Sequence, residues 1–206
     1  MKISSFGEGA LLVTFAESID PVANGRARAL ADAWEARAMG AAVPAYASVL
    51  LHFDPLAHPR AETLGLVRQL AARGATEAEA GRLVDIPVRY DGPDLEDVAR
   101  LSGLAVDEVI ALHSAREYVA YFLGFLPGFA YLGEIDPRLV APRLPEPRVR
   151  VPAGAVAVAG TQTAVYPFAS PGGWRLLGTT DTVLFDPERE PPALIAPGDR
   201  VRFLAR

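Results

Sequence analysis

Glycine and proline divide this chain into two unlike halves, and that division limits what it can fold into. Up to about residue 114 the sequence carries helical periods. Beyond about residue 117 prolines and glycines crowd in, leaving only short runs between them: YVAYFLGF, GAVAVAG, TAVYPF, WRLLGTT, TVLFD and DRVRFLA. Short β-type runs punctuated in this way predict an all-β barrel or sandwich.

The first half predicts alternating strands and helices. KISSF and ALLVTFA read as strands joined at Gly7–Gly9. Asp20 is placed to cap a helix with Pro21 in its first turn, and Ala27, Leu30, Ala31, Trp34 and Ala38 follow at helical spacing. ASVLLHFD reads as an apolar strand, RAETLGLVRQLAAR as a second amphipathic helix stopped at Gly74, and RLVDIPVRY as a strand whose Pro87 places it at an edge or an end. The order ββαβαβ suits an α+β sandwich over residues 1–84. A mostly-β domain over 85–206 is expected to follow. It opens with a helical insertion near 94–114, capped at Asp94 and interrupted at Gly103.

Several function classes are excluded at this level. The net charge of -5 argues against a nucleic-acid partner. A helix-turn-helix reading of LEDVARLSGLAVDEVIAL fails because its second helix carries Asp107 and Glu108 where phosphates would lie. There is no cysteine, hence no thiolate nucleophile or Cys-bound metal. The only lysine is Lys2, so no Walker A loop is possible. FASPG around Ser170 lacks the first glycine of a nucleophile elbow. His52, His58 and His113 show no metal-ligand spacing, and no metal is expected. The N-terminus lacks a signal peptide's apolar core, and no apolar run is long enough to span a bilayer. A cytoplasmic protein with no membrane partner is the expectation.

GFLPGFAYLG, residues 124–133, is the stretch with chemistry to explain. It has too much Gly and Pro for a core strand and too many aromatics for a surface loop. Pro127–Gly128 and Pro171–Gly172 both suit type II turns. Phe125, Phe129, Tyr131 and Trp174 supply aromatic walls; Gln162, Thr163, Tyr166 and Ser170 supply neutral hydrogen-bonding groups. Arg143 and Arg148, five apart on a Pro-rich segment, are placed to reach one anion. His113, at a helix end, is the candidate proton carrier near pH 7. The combination suits a pocket for a small carboxylate, amide or phosphate.

Here the residues carry a resemblance. Gly124, Phe125, Pro127–Gly133, Pro142–Arg143, Pro147–Arg148, Val151–Gly154, Gln162–Thr163, Tyr166–Pro167 and Ser170–Trp174 follow, in order, a run similar to that of the family of the 5-oxoprolinase B-type subunit, also called allophanate hydrolase subunit 1 and KipI-type (carboxyltransferase subdomain C and D). The chain departs from that run at Ala155, where the family usually has Ser, at Ala164 for Gly, and at Thr179 for Arg. The resemblance implies an α+β N-terminal domain followed by a cyclophilin-like β-barrel, with the aromatics of GFLPGFAYLG packing inward at the barrel mouth. It implies a subunit of an ATP-dependent 5-oxoprolinase that opens a lactam to L-glutamate. The site is then shared with a C-type subunit and a LamB/YcsF-type subunit, and ATP binds in the composite. Alternatives on the same scaffold are a KipI-type inhibitor of a sensor histidine kinase and a subunit of an allophanate- or urea-processing enzyme. Peptidyl-prolyl isomerase activity would rest on fold analogy alone.

Overall fold

A computed structural model describes residues 1–73, 81–139 and 141–206. The chain forms two compact units, Met1–Glu79 and Ala80–Arg206. In the first, β1 (Lys2–Ser5), β2 (Ala10–Thr14), β3 (Ala42–Pro44) and β4 (Ser48–His52) form an antiparallel sheet of order β1-β2-β4-β3. Helices α1 (Pro21–Glu35) and α2 (Arg60–Arg73) pack in the same unit. Asp20 caps α1 as expected, its carboxylate accepting the Ala23 N–H at 2.6 Å. The core joins Leu11, Val13, Val49 and Leu51 of the sheet to Leu30, Trp34, Val67 and Leu70 of the helices. Trp34 meets its one polar obligation by donating Nε1–H to the His52 carbonyl at 2.9 Å. The helix stop read at Gly74 lies outside the described residues.

The second unit holds β5 (Leu83–Val88), α3 (Leu95–Ser102), α4 (Val106–Ser114), β6 (Glu117–Leu123), β7 (Ala130–Gly133), β8 (Arg148–Val151), β9 (Ala155–Ala159), β10 (Gln162–Val165), β11 (Ser170–Gly172), β12 (Arg175–Thr179) and β13 (Arg200–Ala205). Seven strands form one sheet in the order β12-β9-β10-β7-β6-β13-β5, while β8 and β11 form a separate ribbon. The expected ββαβαβ order therefore loses its last strand. β5 pairs in parallel with β13 in this second sheet, and Pro87 sits on an end strand, as its missing N–H requires. Just past β5, Arg89 exchanges two backbone hydrogen bonds with Thr179 at the end of β12, 2.9 and 2.8 Å, which brings the sheet's two ends together. The result is mixed α/β with a nearly closed, barrel-like sheet.

Alternation along these strands sorts the side chains into two clusters. All seven strands feed the first, which contains Ile86, Val88, Tyr118, Leu132, Val156, Val158, Val165, Leu177, Val201 and Phe203, and against which Val98 of α3 and Val109 of α4 pack. This is the barrel interior. The alternate residues Phe129, Ala155, Ala157, Ala159, Ala164, Tyr166, Trp174 and Leu176 form a second cluster with Val151 of the ribbon. β9, AVAVA, is buried at every position because its valines face the interior and its alanines the other side.

Candidate functional site: an aromatic pocket on the outer face of the barrel sheet

GFLPGFAYLG makes its turn and its wall with the same residues. Leu126 to Phe129 form a turn closed by Phe129 N–H to Leu126 O at 3.0 Å, with Gly128 at φ 78° in the position a type II turn reserves for glycine. One residue earlier, Leu126 N–H bonds back to Gly124 O at 2.8 Å, a γ-turn centred on Phe125 at φ 69°. Positive φ in a phenylalanine stores strain. The gain is placement. Phe125 stands 59% exposed at the rim, edge-on to Phe129 (5.4 Å) and Tyr166 (6.5 Å). Pro171–Gly172, by contrast, makes no turn; it lies in β11, paired with β8.

Six expected site residues converge: Phe125, Phe129, Tyr131, Arg143, Tyr166 and Trp174 line one cavity of about 240 Å³ with Pro147, Pro171, Gly172 and Gly173. The small side chains of Ala157, Ala159 and Ala164 in the same cluster make room for these rings. Tyr166 is buried, and burial raises its phenol's pKa. A hydrogen bond from the Trp174 backbone and the positive charges of Arg143 and Arg148 oppose that rise only in part. Burial raises Tyr131 as well, against the pull of Arg143. Both are neutral phenols at pH 7. Gly172 is required by close approach, since any Cβ there would collide with Tyr166 Oη.

Arg143 is exposed, lies over the Trp174 ring at 6.0 Å, and has no carboxylate partner among the described residues. Its loop is held from both sides. Leu144 N–H bonds Gly173 O at 2.8 Å, and the buried Arg175 donates Nε–H to Pro142 O at 3.0 Å while pairing with Asp97. Arg175 is a positioning residue that the sequence reading did not single out.

The remaining expected residues go elsewhere. The aromatics of this stretch do not point into the barrel; alternation sends Ala130 and Leu132 inward and leaves Phe129 and Tyr131 on the outer face. Arg148 does not join Arg143: its Nη2 is 2.7 Å from Asp94, whose second oxygen takes the Leu176 N–H at 2.7 Å. It lines a separate cavity, together with Ala155 and Thr179, two of the three departures noted in the sequence. Gln162 and Ser170 line neither cavity.

His113 is wholly buried in the interior, stacked on Phe203 at 4.6 Å. Its Nε2 is 2.8 Å from Thr163 Oγ1, which itself lies 3.0 Å from the Ala157 carbonyl, and its Nδ1 is 2.7 Å from Tyr90 Oη. A carbonyl can only accept, so the Thr163 proton goes to Ala157. Nε2 then carries a hydrogen donated to Thr163, and Nδ1 accepts from Tyr90. Burial drops the imidazole pKa from 6.5 to about 3. His113 is thus a neutral structural group, not a proton carrier near pH 7, and Thr163 is its partner, not a pocket residue. Among the described residues no three metal-binding side chains cluster, and no helix is long and apolar enough to cross a membrane.

The chain belongs to the carboxyltransferase domain, subdomain C and D, family, whose pattern it matches over residues 1–195. Among individual relatives, the B-type subunit of the 5-oxoprolinase of Bacillus subtilis (strain 168) is 38% identical over 220 residues, 98% of this chain and 92% of that one. The corresponding 5-oxoprolinase subunit of Escherichia coli O157:H7 is 49% identical over 156 residues, 72% of this chain and 71% of the other. The solved structure of TTHA0988 aligns with a TM-score of 0.85 and 49% identity, covering 96% of this chain but only 40% of that longer one. Kluyveromyces lactis urea amidolyase, 17% identical with a TM-score of 0.74 over 99% of this chain and 15% of its own, shares the fold.

Proposed function

We propose that this chain is the B-type subunit of a 5-oxoprolinase complex in the cytoplasm, and that its cyclophilin-like barrel unit presents the aromatic pocket to 5-oxoproline. One observation carries the reading: an aromatic enclosure of about 240 Å³ has at its rim a guanidinium with no carboxylate partner among the described residues. A flat five-membered lactam bearing one carboxylate matches that pattern, ring faces against Phe129 and Trp174 and carboxylate on Arg143. In this reading Tyr166, a phenol neutral at pH 7 and pushed further up by burial, donates its O–H to the lactam oxygen, where negative charge develops as the amide carbon is attacked. Addition of water and cleavage of the C–N bond gives glutamate.

The residues of the aromatic pocket do not fit an ATP site. The pocket offers one guanidinium and two phenols, and the only lysine is Lys2, in the other unit. In this reading the nucleotide belongs to the C-type and LamB/YcsF-type companion subunits. The test is to purify the chain alone and with those companions, supply 5-oxoproline and ATP, and measure glutamate. The lone chain is expected to be inert and the assembled complex active. Turnover by the lone chain, or a formed complex that leaves 5-oxoproline intact, would overturn the proposal.

A further inference from the structure

The cavity that holds Arg148 is a second site of different chemistry. It measures about 260 Å³ and is lined by Arg148 and Arg150 of β8, by Ala155 and Thr179, and by Asp91 of the loop after β5. Positions 148 and 150 are two apart on one strand, so both side chains leave the same face. Arg148 gives Nη2 to Asp94, but its Nη1 is buried and has no hydrogen-bond partner among the described residues. Arg26, Arg60, Arg189 and Arg200 also carry such a nitrogen, but of these five arginines it is Arg148 that lines this cavity. Arg150 is exposed and forms no ion pair among the described residues. Asp91, the one carboxylate on the lining, accepts the Thr179 hydroxyl at 2.9 Å. Asp94 is already engaged twice, by Arg148 and by the Leu176 N–H. The lining itself thus carries two guanidinium groups and one carboxylate, with Asp94 paired to Arg148 behind it.

We propose that this cavity binds a phosphate-type oxyanion between the guanidinium groups of Arg148 and Arg150. Two guanidinium forks on one strand can share the several oxygens of a tetrahedral anion, where a single carboxylate would leave donors unused. The aromatic pocket, with one guanidinium and apolar walls, has no such arrangement, and the proposal stands independently of the lactam reading.

Calorimetric titration of the intact chain with inorganic phosphate at low ionic strength tests it, with acetate as the carboxylate arm. Arg150→Gln is the main variant, since Arg150 forms no ion pair among the described residues; Arg37→Gln, an exposed arginine of the other unit, controls for loss of general positive charge. Saturable one-site phosphate binding is expected, weakened on the order of tenfold or more by Arg150→Gln and left within about twofold by Arg37→Gln, as for an exposed charge acting through solvent. Acetate is expected to bind more weakly than phosphate. No phosphate binding by the wild type, no change in Arg150→Gln, an equal loss in Arg37→Gln, or acetate binding as tight as phosphate would each overturn it.

Discussion

Strand β10 serves two opposite faces, and they behave as different materials. Thr163 and Val165 point into the barrel, where Tyr90, His113, Thr163 and the Ala157 carbonyl form a closed chain with every proton assigned. Ala164 and, just past the strand, Tyr166 point outward, and Tyr166 lines a pocket whose rim carries an arginine with no carboxylate partner among the described residues. Residue type alone would rank histidine above arginine as a chemical actor. The structure reverses the order, because a group whose donors and acceptors are already paired inside a core has nothing left for a ligand. What separates the two faces is therefore available bonding capacity.

The comparison breaks if the inner chain proves to matter for ligand and not for folding. His113→Ala removes a wholly buried ring and strands Tyr90 and Thr163; it is expected to lower stability by about 3 kcal/mol in urea denaturation while leaving ligand affinity at the pocket unchanged in the folded fraction. A stable variant with impaired binding would place His113 on the wrong side of the comparison. Arg143→Ala is expected to do the reverse. Stability should stay within about 0.5 kcal/mol, as for exposed positions, and glutamate release by the assembled complex at subsaturating 5-oxoproline should fall about ten- to a hundredfold, as for loss of a hydrogen bond to the substrate carboxylate worth about 1.5–3 kcal/mol. Equal turnover by variant and wild type would remove Arg143 from the site.

Proton linkage sharpens the same contrast. In the fold His113 titrates near 3, against about 6.5 unfolded. The unfolded chain therefore binds the extra proton first, and the stability held by neutral His113 is complete above pH 6.5 and declines as the pH falls toward 3. At about 1.4 kcal/mol per pH step, the decline between pH 6.5 and 5 is about 2 kcal/mol. His113→Phe should lack this slope, and a variant that keeps it would assign the titration to another group.

The pocket was more legible in the sequence than the inner chain, for a physical reason. Local geometry leaves local marks: Asp20–Pro21 announced a helix start, and Pro127–Gly128 a turn, because cap and turn chemistry involve residues within three or four positions. The aromatic excess of 124–133 likewise demanded a wall to build. Pairings distant in sequence leave no such mark. Asp85 of β5 meets Arg202 of β13 across 117 positions, so the strand's true sheet was not visible. Arg148 finds Asp94 across 54 positions, and His113 finds Thr163 across 50. β3, three residues long, was too short to read against its neighbours. Arg150 had a visible signal, the alternation of R-V-R that puts two guanidinium groups on one face.

The smallest effect tests the boundary between the two faces at a single residue. Phe125 is the pocket wall with the least support, mostly exposed and held at φ 69°. Phe125→Gly relieves a strain of about 1–3 kcal/mol, but it adds freedom to the unfolded chain that offsets roughly 0.4–1 kcal/mol of that and gives up ring contacts with Phe129 and Tyr166 of about 0.5–1.5 kcal/mol. These terms nearly cancel, so stability is expected to shift by no more than about 1 kcal/mol. Affinity for a pocket ligand should fall only a few-fold, since the loss of one aromatic wall lies in that same 0.5–1.5 kcal/mol range. Thermal denaturation alongside ligand titration separates the two readouts. A destabilisation above about 2 kcal/mol would mean that the Phe125 ring supports the fold as Phe129 does, and that the pocket's rim is an extension of the core.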